Sequence, residues 1–304
     1  MRALVVGPGA EGRLVEVPEP APEPGQALVE VRHASVNFSD LRHMGRLPEG
    51  TVLGYDAAGV VLRAAEDGTG PREGARVAAF GAGAWAERAA FDTGSLAVVP
   101  DGVDLVQAAA LPMAGLTALR SLRAAGPAPG SRVLVTGASG AVGRLAVQLA
   151  RRAGAHVIAS VSRPERAERL AAGLEAPVEI AVGLDGVEPV DVVIETVGGP
   201  ALVAAWALLK PGGNLQSVGW ASGQPAVFPP NSTFSLGRAR SLNSFGDVTA
   251  PADDLAHLLA LVAAGDLFLE IGLTGSWEDL DDAKAAQLGG SVTGKIVLKV
   301  GRTP

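Results

Sequence analysis

The segment Val133-Leu134-Val135-Thr136-Gly137-Ala138-Ser139-Gly140-Ala141-Val142-Gly143-Arg144-Leu145-Ala146-Val147-Gln148-Leu149-Ala150 constrains the fold more than any other. Its short apolar run reads as a buried strand, and the Ala- and Leu-rich run after Gly140 reads as a helix. Three glycines stand at the junction. Gly137 takes a tight turn, Gly140 lets the backbone approach a pyrophosphate, and Gly143 allows the helix to pack closely on a sheet. A helix starting here offers N–H groups and a partial positive charge to phosphates. The spacing is G-x-x-G-x-x-G, one residue off the usual dinucleotide fingerprint. The strand–turn–helix context therefore carries the signal rather than the triplet itself.

The flanking sequence extends this unit. Strand-like runs at Arg132–Thr136, His156–Val161, Val190–Thr196 and Asn214–Val218 alternate with helical patterns at Ala141–Ala153, Pro164–Ala172 and Pro200–Leu209. Such alternation predicts an α/β domain with a parallel sheet covered on both faces. The segment Gly173–Pro189 is short, and its strand near Val178–Val182 is expected to be poorly formed. The first hundred residues differ. Short runs at Leu28–Val36, Ala57–Leu62, Ala75–Phe80 and Trp85–Phe91, separated by Gly and Pro clusters, predict a β-barrel or sandwich. The stretch Pro18–Gly25 fits either a flexible linker or a compact turn between strands. One helix is expected over Leu105–Arg123 and another over Leu255–Ala264; the tail from Trp277 reads as a short acidic helix and then a strand at Lys295–Val300. There are no internal repeats.

Charge and composition exclude several roles. Twenty-five Lys and Arg against 32 Asp and Glu leave a net charge of −7, and phosphate-backbone binding requires a basic footprint. No nucleic-acid partner is expected. The chain has no cysteine, which excludes disulfides, thiol nucleophiles and thiolate metal sites. The apolar run Ala3–Val6 is too short for a signal-peptide core, and the uncharged, apolar stretch Leu105–Leu119 is shorter than the roughly 20 residues of a membrane span. A cytoplasmic protein acting on a small-molecule substrate, without a membrane, is expected.

The end of the second α/β strand indicates which dinucleotide. NAD sites usually place Asp or Glu there to hold the ribose hydroxyls. The sequence instead runs Ser160-Val161-Ser162-Arg163-Pro164-Glu165-Arg166. Ser162, Arg163 and Arg166 offer a hydroxyl and two guanidiniums suited to a 2′-phosphate, which favours NADPH.

Further motifs accompany this loop. They are Ser35-Val36-Asn37-Phe38-Ser39-Asp40, Leu53-Gly54-Tyr55-Asp56-Ala57-Ala58-Gly59, Leu116-Thr117-Ala118, Lys210-Pro211-Gly212-Gly213 and Gly294-Lys295-Ile296-Val297-Leu298. Together they resemble the medium-chain dehydrogenase/reductase superfamily, and within it the zinc-independent quinone oxidoreductases. The resemblance covers nearly the whole chain. It implies an α/β protein made of a Rossmann NADP-binding domain at 119–249 and a GroES-like β-barrel catalytic domain at 1–118, completed by 250–304. The cofactor would lie in the cleft between them, and a homodimer would join through the Rossmann sheet edge.

The resemblance also implies site roles. Zinc-dependent relatives place Cys where Asn37 stands, His where Tyr55 stands and a further ligand near Met113, so no metal is expected. His33, His43, His156 and His257 are scattered and show no ligand spacing. Asn37, Ser39, Asp40 and Tyr55 are the implied catalytic residues. Asn37 would bond a ribose hydroxyl or a substrate carbonyl, Ser39 stands at a proton-relay position, and the Tyr55 phenol would donate to a carbonyl oxygen. A local cap at the strand end is an equal reading for Ser39 and Asp40. A packed aromatic is an equal reading for Tyr55. The implied NADPH contacts are Thr117, the loop residues Ser139, Gly140, Ala141 and Val142, then Ser162, Arg163, Arg166, Val197, Val218, Gly219 and Phe245. The activity implied is hydride transfer from NADPH to a quinone or other conjugated carbonyl. Alternatives are an enoyl-thioester reductase, like the reductase modules of polyketide synthases, and a non-catalytic nucleotide-binding protein. The tyrosine that some of those modules use is Phe38 here.

Overall fold

The structure is a computed structural model, which describes residues 1–174, 178–234 and 236–301. The chain divides into two compact units, Met1–Leu116 with Val248–Pro304, and Thr117–Asp247. The elements in order are β1 (Arg2–Val6), β2 (Gly12–Glu16), β3 (Gln26–Val36), α1 (Phe38–His43), β4 (Asp56–Arg63), β5 (Arg76–Phe80), β6 (Arg88–Asp92), β7 (Leu96–Val98), α2 (Leu105–Ala110) and α3 (Pro112–Ala125). The α/β run follows as β8 (Arg132–Val135), α4 (Ala141–Arg152), β9 (His156–Val161), α5 (Pro164–Ala172), β10 (Glu179–Val182), β11 (Val190–Glu195), α6 (Gly199–Ala207), β12 (Leu209–Ser217) and β13 (Ser241–Ser244). The tail adds α7 (Ala252–Ala263), β14 (Ile271–Ser276), α8 (Leu280–Leu288) and β15 (Lys295–Lys299).

The first unit is built on a sheet of order β14-β15-β3-β4-β5-β7, with β6 also pairing β3. All pairs are antiparallel except β14 with β15. Val29, Val31, Val61, Val77, Phe91, Ile296 and Leu298 bury one face of these strands around Trp85 and Trp277. The return of the tail matters most for the site. Ile296 pairs with Val36 and Lys299 with His33, which brings Lys295 beside the Asn37 motif, about 260 residues away in sequence. The stretch Pro18–Gly25 is a compact turn: Gln26 N–H reaches Glu23 O, Asp67 N–H reaches Pro24 O and Thr93 N–H reaches Gly25 O. The single helix expected over Leu105–Arg123 is instead two, α2 and α3. Pro112 has no N–H to continue α2, but its fixed φ suits the first turn of α3.

The second unit is a parallel six-stranded sheet of order β10-β9-β8-β11-β12-β13. Leu134, Ile158, Val193 and Leu215 on the strands meet Leu202, Trp206 and Ala205 of α6 in its core. The strand expected to be poorly formed is regular. β10 pairs with β9 in unbroken register from Glu179↔Ile158 to Val182↔Val161, although residues 175–177 of that segment lie outside the described residues. Its backbone hydrogen bonds stand in for the missing apolar pattern, since an edge strand buries only part of its side chains. β8 and β11 are neighbours. The chain leaves β8 toward β9 and β10 on one side, and β11 leads to β12 and β13 on the other. The crevice between their carboxyl ends is where open α/β sheets take ligands.

Candidate functional site

Two constellations carry chemistry, one in each unit. In the first, Asn37 follows β3 and is the N-cap of α1. Asp40 accepts from the Asn37 backbone N–H at 2.9 Å, the return bond of a capping box. The side chains continue the network. Asn37 Nδ2 donates to Asp40 Oδ2 at 3.1 Å and to Asp56 Oδ2 at 3.0 Å, while Lys295 Nζ donates to Asn37 Oδ1 at 2.5 Å. Lys295 also pairs with Asp56 at 3.2 Å, and Asp56 Oδ1 accepts from the Met113 N–H at 3.0 Å. All four side chains are buried.

Counting donors narrows what Asn37 can do. A primary amide has two N–H groups, and Asp40 and Asp56 take both. What remains is one lone pair on Oδ1, which suits a donating ribose hydroxyl and not an accepting substrate carbonyl. Ser39 is half-buried, with Oγ against Met113 Sδ at 3.3 Å. The Tyr55 ring stacks on Phe80 at 6.1 Å between centroids and is 37% exposed. Among the described residues, no group of three or more His, Cys, Asp or Glu could hold a metal ion. Sequence reasoning gave Asp56 and Lys295 no role, although both lie inside the motifs. The one available signal was an ionisable residue within each apolar strand.

Two carboxyls and one ammonium share this buried volume. Burial, then the charge of Asp56, pushes the Asp40 carboxyl up to about 7, against the opposing pull of Asn37 and Lys295. A raised acid pKa favours the folded state at low pH, and that contribution is lost progressively as pH rises from about 4 to about 7. Asp40→Asn mimics the protonated form. Its stability is expected to be nearly flat between pH 5 and 8, whereas the wild type should lose about 1 kcal/mol per pH unit between about pH 4 and 7 and level off above 7. Parallel slopes in pH-dependent urea unfolding would refute the assignment.

In the second unit, the predicted cofactor residues gather at the carboxyl ends of the strands. Ser139, Gly140, Ala141 and Val142 follow β8, Ser162, Arg163 and Arg166 follow β9, Val197 follows β11, Val218 and Gly219 follow β12, and Phe245 follows β13. Backbone bonds tie these turns together: Val218 N–H to Glu195 O, Ser222 N–H to Val197 O, and Phe245 N–H to Ser217 O. Thr117 is buried on α3, outside these strand ends.

The loop fits a dinucleotide phosphate. Gly137 has φ +58°, which favours glycine, and a Cβ on Gly143 would lie 2.7 Å from Ala138 Cα. Those two glycines serve the turn and the helix packing. Gly140 is different. It is exposed, and a Cβ there would meet nothing nearer than Gly137 O at 3.4 Å. As N-cap of α4 it offers no side-chain cap, and the first turn carries no acidic residue. The first-turn N–H groups, which have no intrahelical acceptor, are left to an anion. Arg163 caps α5 just after β9, and Arg166 and Arg169 lie on that helix close enough for their charges to act on one another. Burial first, then the charges of Arg163 and Arg169, lowers the pKa of Arg166. Clustered guanidiniums of this kind suit a phosphate.

Comparisons with known proteins agree with this architecture. An alcohol dehydrogenase GroES-like domain model matches residues 23–101, and a zinc-binding dehydrogenase model matches residues 175–298. The quinone oxidoreductase of Thermus thermophilus, solved alone and with NADPH, is 32% identical with a TM-score of 0.81, and the match covers 99% of this chain and 100% of that one. The chain belongs to the zinc-independent, quinone oxidoreductase-like branch of the medium-chain dehydrogenase/reductases. Among curated relatives, the polyketide synthase GfsB of Streptomyces halstedii is 36% identical over 229 residues, which is 72% of this chain and 4% of that protein. A mycocerosic acid synthase-like polyketide synthase of Mycolicibacterium smegmatis is 31% identical over 334 residues, covering 99% of this chain and 15% of that protein. The chain thus spans a small part of the curated relatives it matches. No described helix is long and apolar enough to cross a membrane.

Proposed function

We propose that this oxidoreductase uses NADPH to reduce a quinone or another conjugated carbonyl compound. The observation that carries the reading is the strand-end edge of the second unit, where the open N-terminus of α4 and the arginine cluster follow adjacent strands, β8 and β9. When bound, NADPH supplies the hydride. Ala141 and Val142 present backbone N–H groups to the pyrophosphate, and Arg163 and Arg166 grip the 2′-phosphate. In the first unit, the Ser39 hydroxyl and the Tyr55 phenol are the donors available to a developing oxyanion, while Asn37, held by Asp40, Asp56 and Lys295, keeps Oδ1 for a ribose hydroxyl.

The arginine reading has a direct test. Replacing Arg163 and Arg166 together by Ala is expected to weaken NADPH binding by about 100-fold, the scale of two charge-assisted bonds. NADH affinity should barely change. Equal losses for both cofactors, measured by calorimetry, would reduce the arginines to a structural role.

The substrate class is tested by NADPH oxidation at saturating cofactor with a benzoquinone in one arm and an enoyl thioester in the other. Turnover of the quinone supports the proposal. Turnover of the thioester alone supports the second reading, an enoyl-thioester reductase, which the polyketide synthase relatives favour. Tight NADPH binding without turnover of either would leave a nucleotide-binding protein. A second copy of the chain is the proposed partner. β13 closes one side of the sheet with all four residues exposed, near Phe234, 81% exposed, and Leu236, 98% exposed. Unpaired strand edges and exposed apolar side chains invite pairing with an identical edge. Sedimentation equilibrium at the mass of one chain would rule this out.

A further inference from the structure

Glu195 closes β11 at the crevice between β8 and β11, and its carboxylate is fully buried. Among the described residues it forms no ion pair. It is held by three donors instead: Thr136 Oγ1 at 2.9 Å and Val197 N–H at 2.9 Å on one oxygen, and Gly198 N–H at 2.9 Å on the other. Thr136 is the last residue before the glycine loop. Its Oγ1 also accepts from the Thr196 N–H at 3.0 Å, and its carbonyl accepts from Thr196 Oγ1 at 2.8 Å. Thr136, after β8, is therefore interlocked with the end of β11 by three hydrogen bonds, one of them to the Glu195 carboxylate, and the same carboxylate gathers the two N–H groups of the turn that follows.

Burying a carboxylate without a cation is costly. Burial pushes the Glu195 carboxyl upward, and the Gly198, Val197 and Thr136 donors only partly offset this. Core packing alone would be served more cheaply by an apolar residue. What the carboxylate adds is an acceptor with lone pairs on both oxygens. Val197 and Gly198 point their N–H groups at it, in a turn where Gly198 and Gly199 both have positive φ. An amide cannot replace it without loss, because its NH2 would face one of those donors.

We propose that Glu195 is a positioning residue that sets the spacing between the glycine loop and the Val197 turn, and so holds the dinucleotide crevice at the width its pyrophosphate and ribose require. The proposal rests on the NADPH reading. Glu195 touches no part of the cofactor itself; it acts through the Thr136 side chain and the Val197 and Gly198 backbone. Its effect should fall on the central part of the dinucleotide and spare the adenosine 2′-phosphate, which the arginines after β9 hold.

The test measures NADPH and adenosine 2′,5′-bisphosphate affinities by calorimetry, with thermal unfolding of the ligand-free protein alongside. For Glu195→Gln, NADPH affinity is expected to fall by about tenfold or more, the scale of losing a bond to a charged group. The bisphosphate should stay within about twofold, a separation that a general loss of structure would not give. Thr136→Ser, which keeps the hydroxyl, should match the wild type, and Thr136→Val should weaken NADPH alone; this pair decides the matter if Glu195→Gln fails to fold. Unchanged NADPH affinity in Glu195→Gln, or equal losses for both ligands in the folded variants, would overturn the proposal. A wild type that binds neither ligand would overturn the NADPH reading, and this proposal with it.

Discussion

Replacing Lys295 by Met is expected to destabilise the protein by about 3–5 kcal/mol, the cost of removing one partner from a buried ion pair. The argument is local. Asp56 is fully buried, and Lys295 Nζ, 3.2 Å away, is the cation that faces it. Met fills the volume of the Lys stem but leaves the carboxylate to the Asn37, Ser35 and Met113 donors alone. Asn37 Oδ1 also loses the bond that orients it. Two carboxyls then remain in one pocket with no opposing charge. The double variant Lys295→Met/Asp56→Asn removes the charge imbalance and should recover part of the loss, because a buried pair replaced as a unit costs less than a pair broken on one side. Urea unfolding of the wild type, both single variants and the double completes the cycle. A loss below about 1 kcal/mol in Lys295→Met would show that water or a neighbouring group relieves the carboxylate, and the pair would then have little part in holding the motif.

How far the sequence could be read depended on the kind of signal each element carried. The α/β unit was legible because its strands are short apolar runs and its helices are marked by Pro164, Pro200 and the glycine loop, so both period and boundaries were visible. β1 and β2 were missed: β1 is a buried run of only five residues without alternation, and β2, its hairpin partner, buries none of its side chains fully. β13 was invisible because Ser241-Leu242-Asn243-Ser244 has no apolar alternation, and only the pairing with β12 makes it a strand. In the site, the glycine loop was legible as a contiguous motif. The Asn37–Asp40–Asp56–Lys295 network was not, since β15 delivers Lys295 by antiparallel pairing across most of the chain. Glu195 gave no sign of its role, because an acid at a strand end reads as a solvated residue until its burial is known.

The glycine loop carries the sharpest contrast between fold and function. Gly140→Val should lower NADPH affinity by more than about 100-fold while leaving the protein folded. At φ −80° and ψ 169° Gly140 is in extended backbone that a β-branched residue adopts without strain, and no atom lies within 3.4 Å of a Cβ there. Valine is a poor N-cap, but relative to glycine this costs less than about 1 kcal/mol. The added methyls project over the helix N-terminus, where a phosphate must come close to the N–H groups. Gly143→Ala should do the reverse. Its Cβ would press on the Gly137 carbonyl and sit 2.7 Å from Ala138 Cα, backbone atoms that cannot swing aside, so the loop or the start of α4 must shift. That variant is expected to lose stability first and affinity as a consequence, at a cost of about 1–3 kcal/mol. Calorimetric titration and thermal unfolding of both variants separate the two roles. If Gly140→Val binds NADPH like the wild type, the phosphate does not sit on this loop, and the cofactor assignment built on it fails.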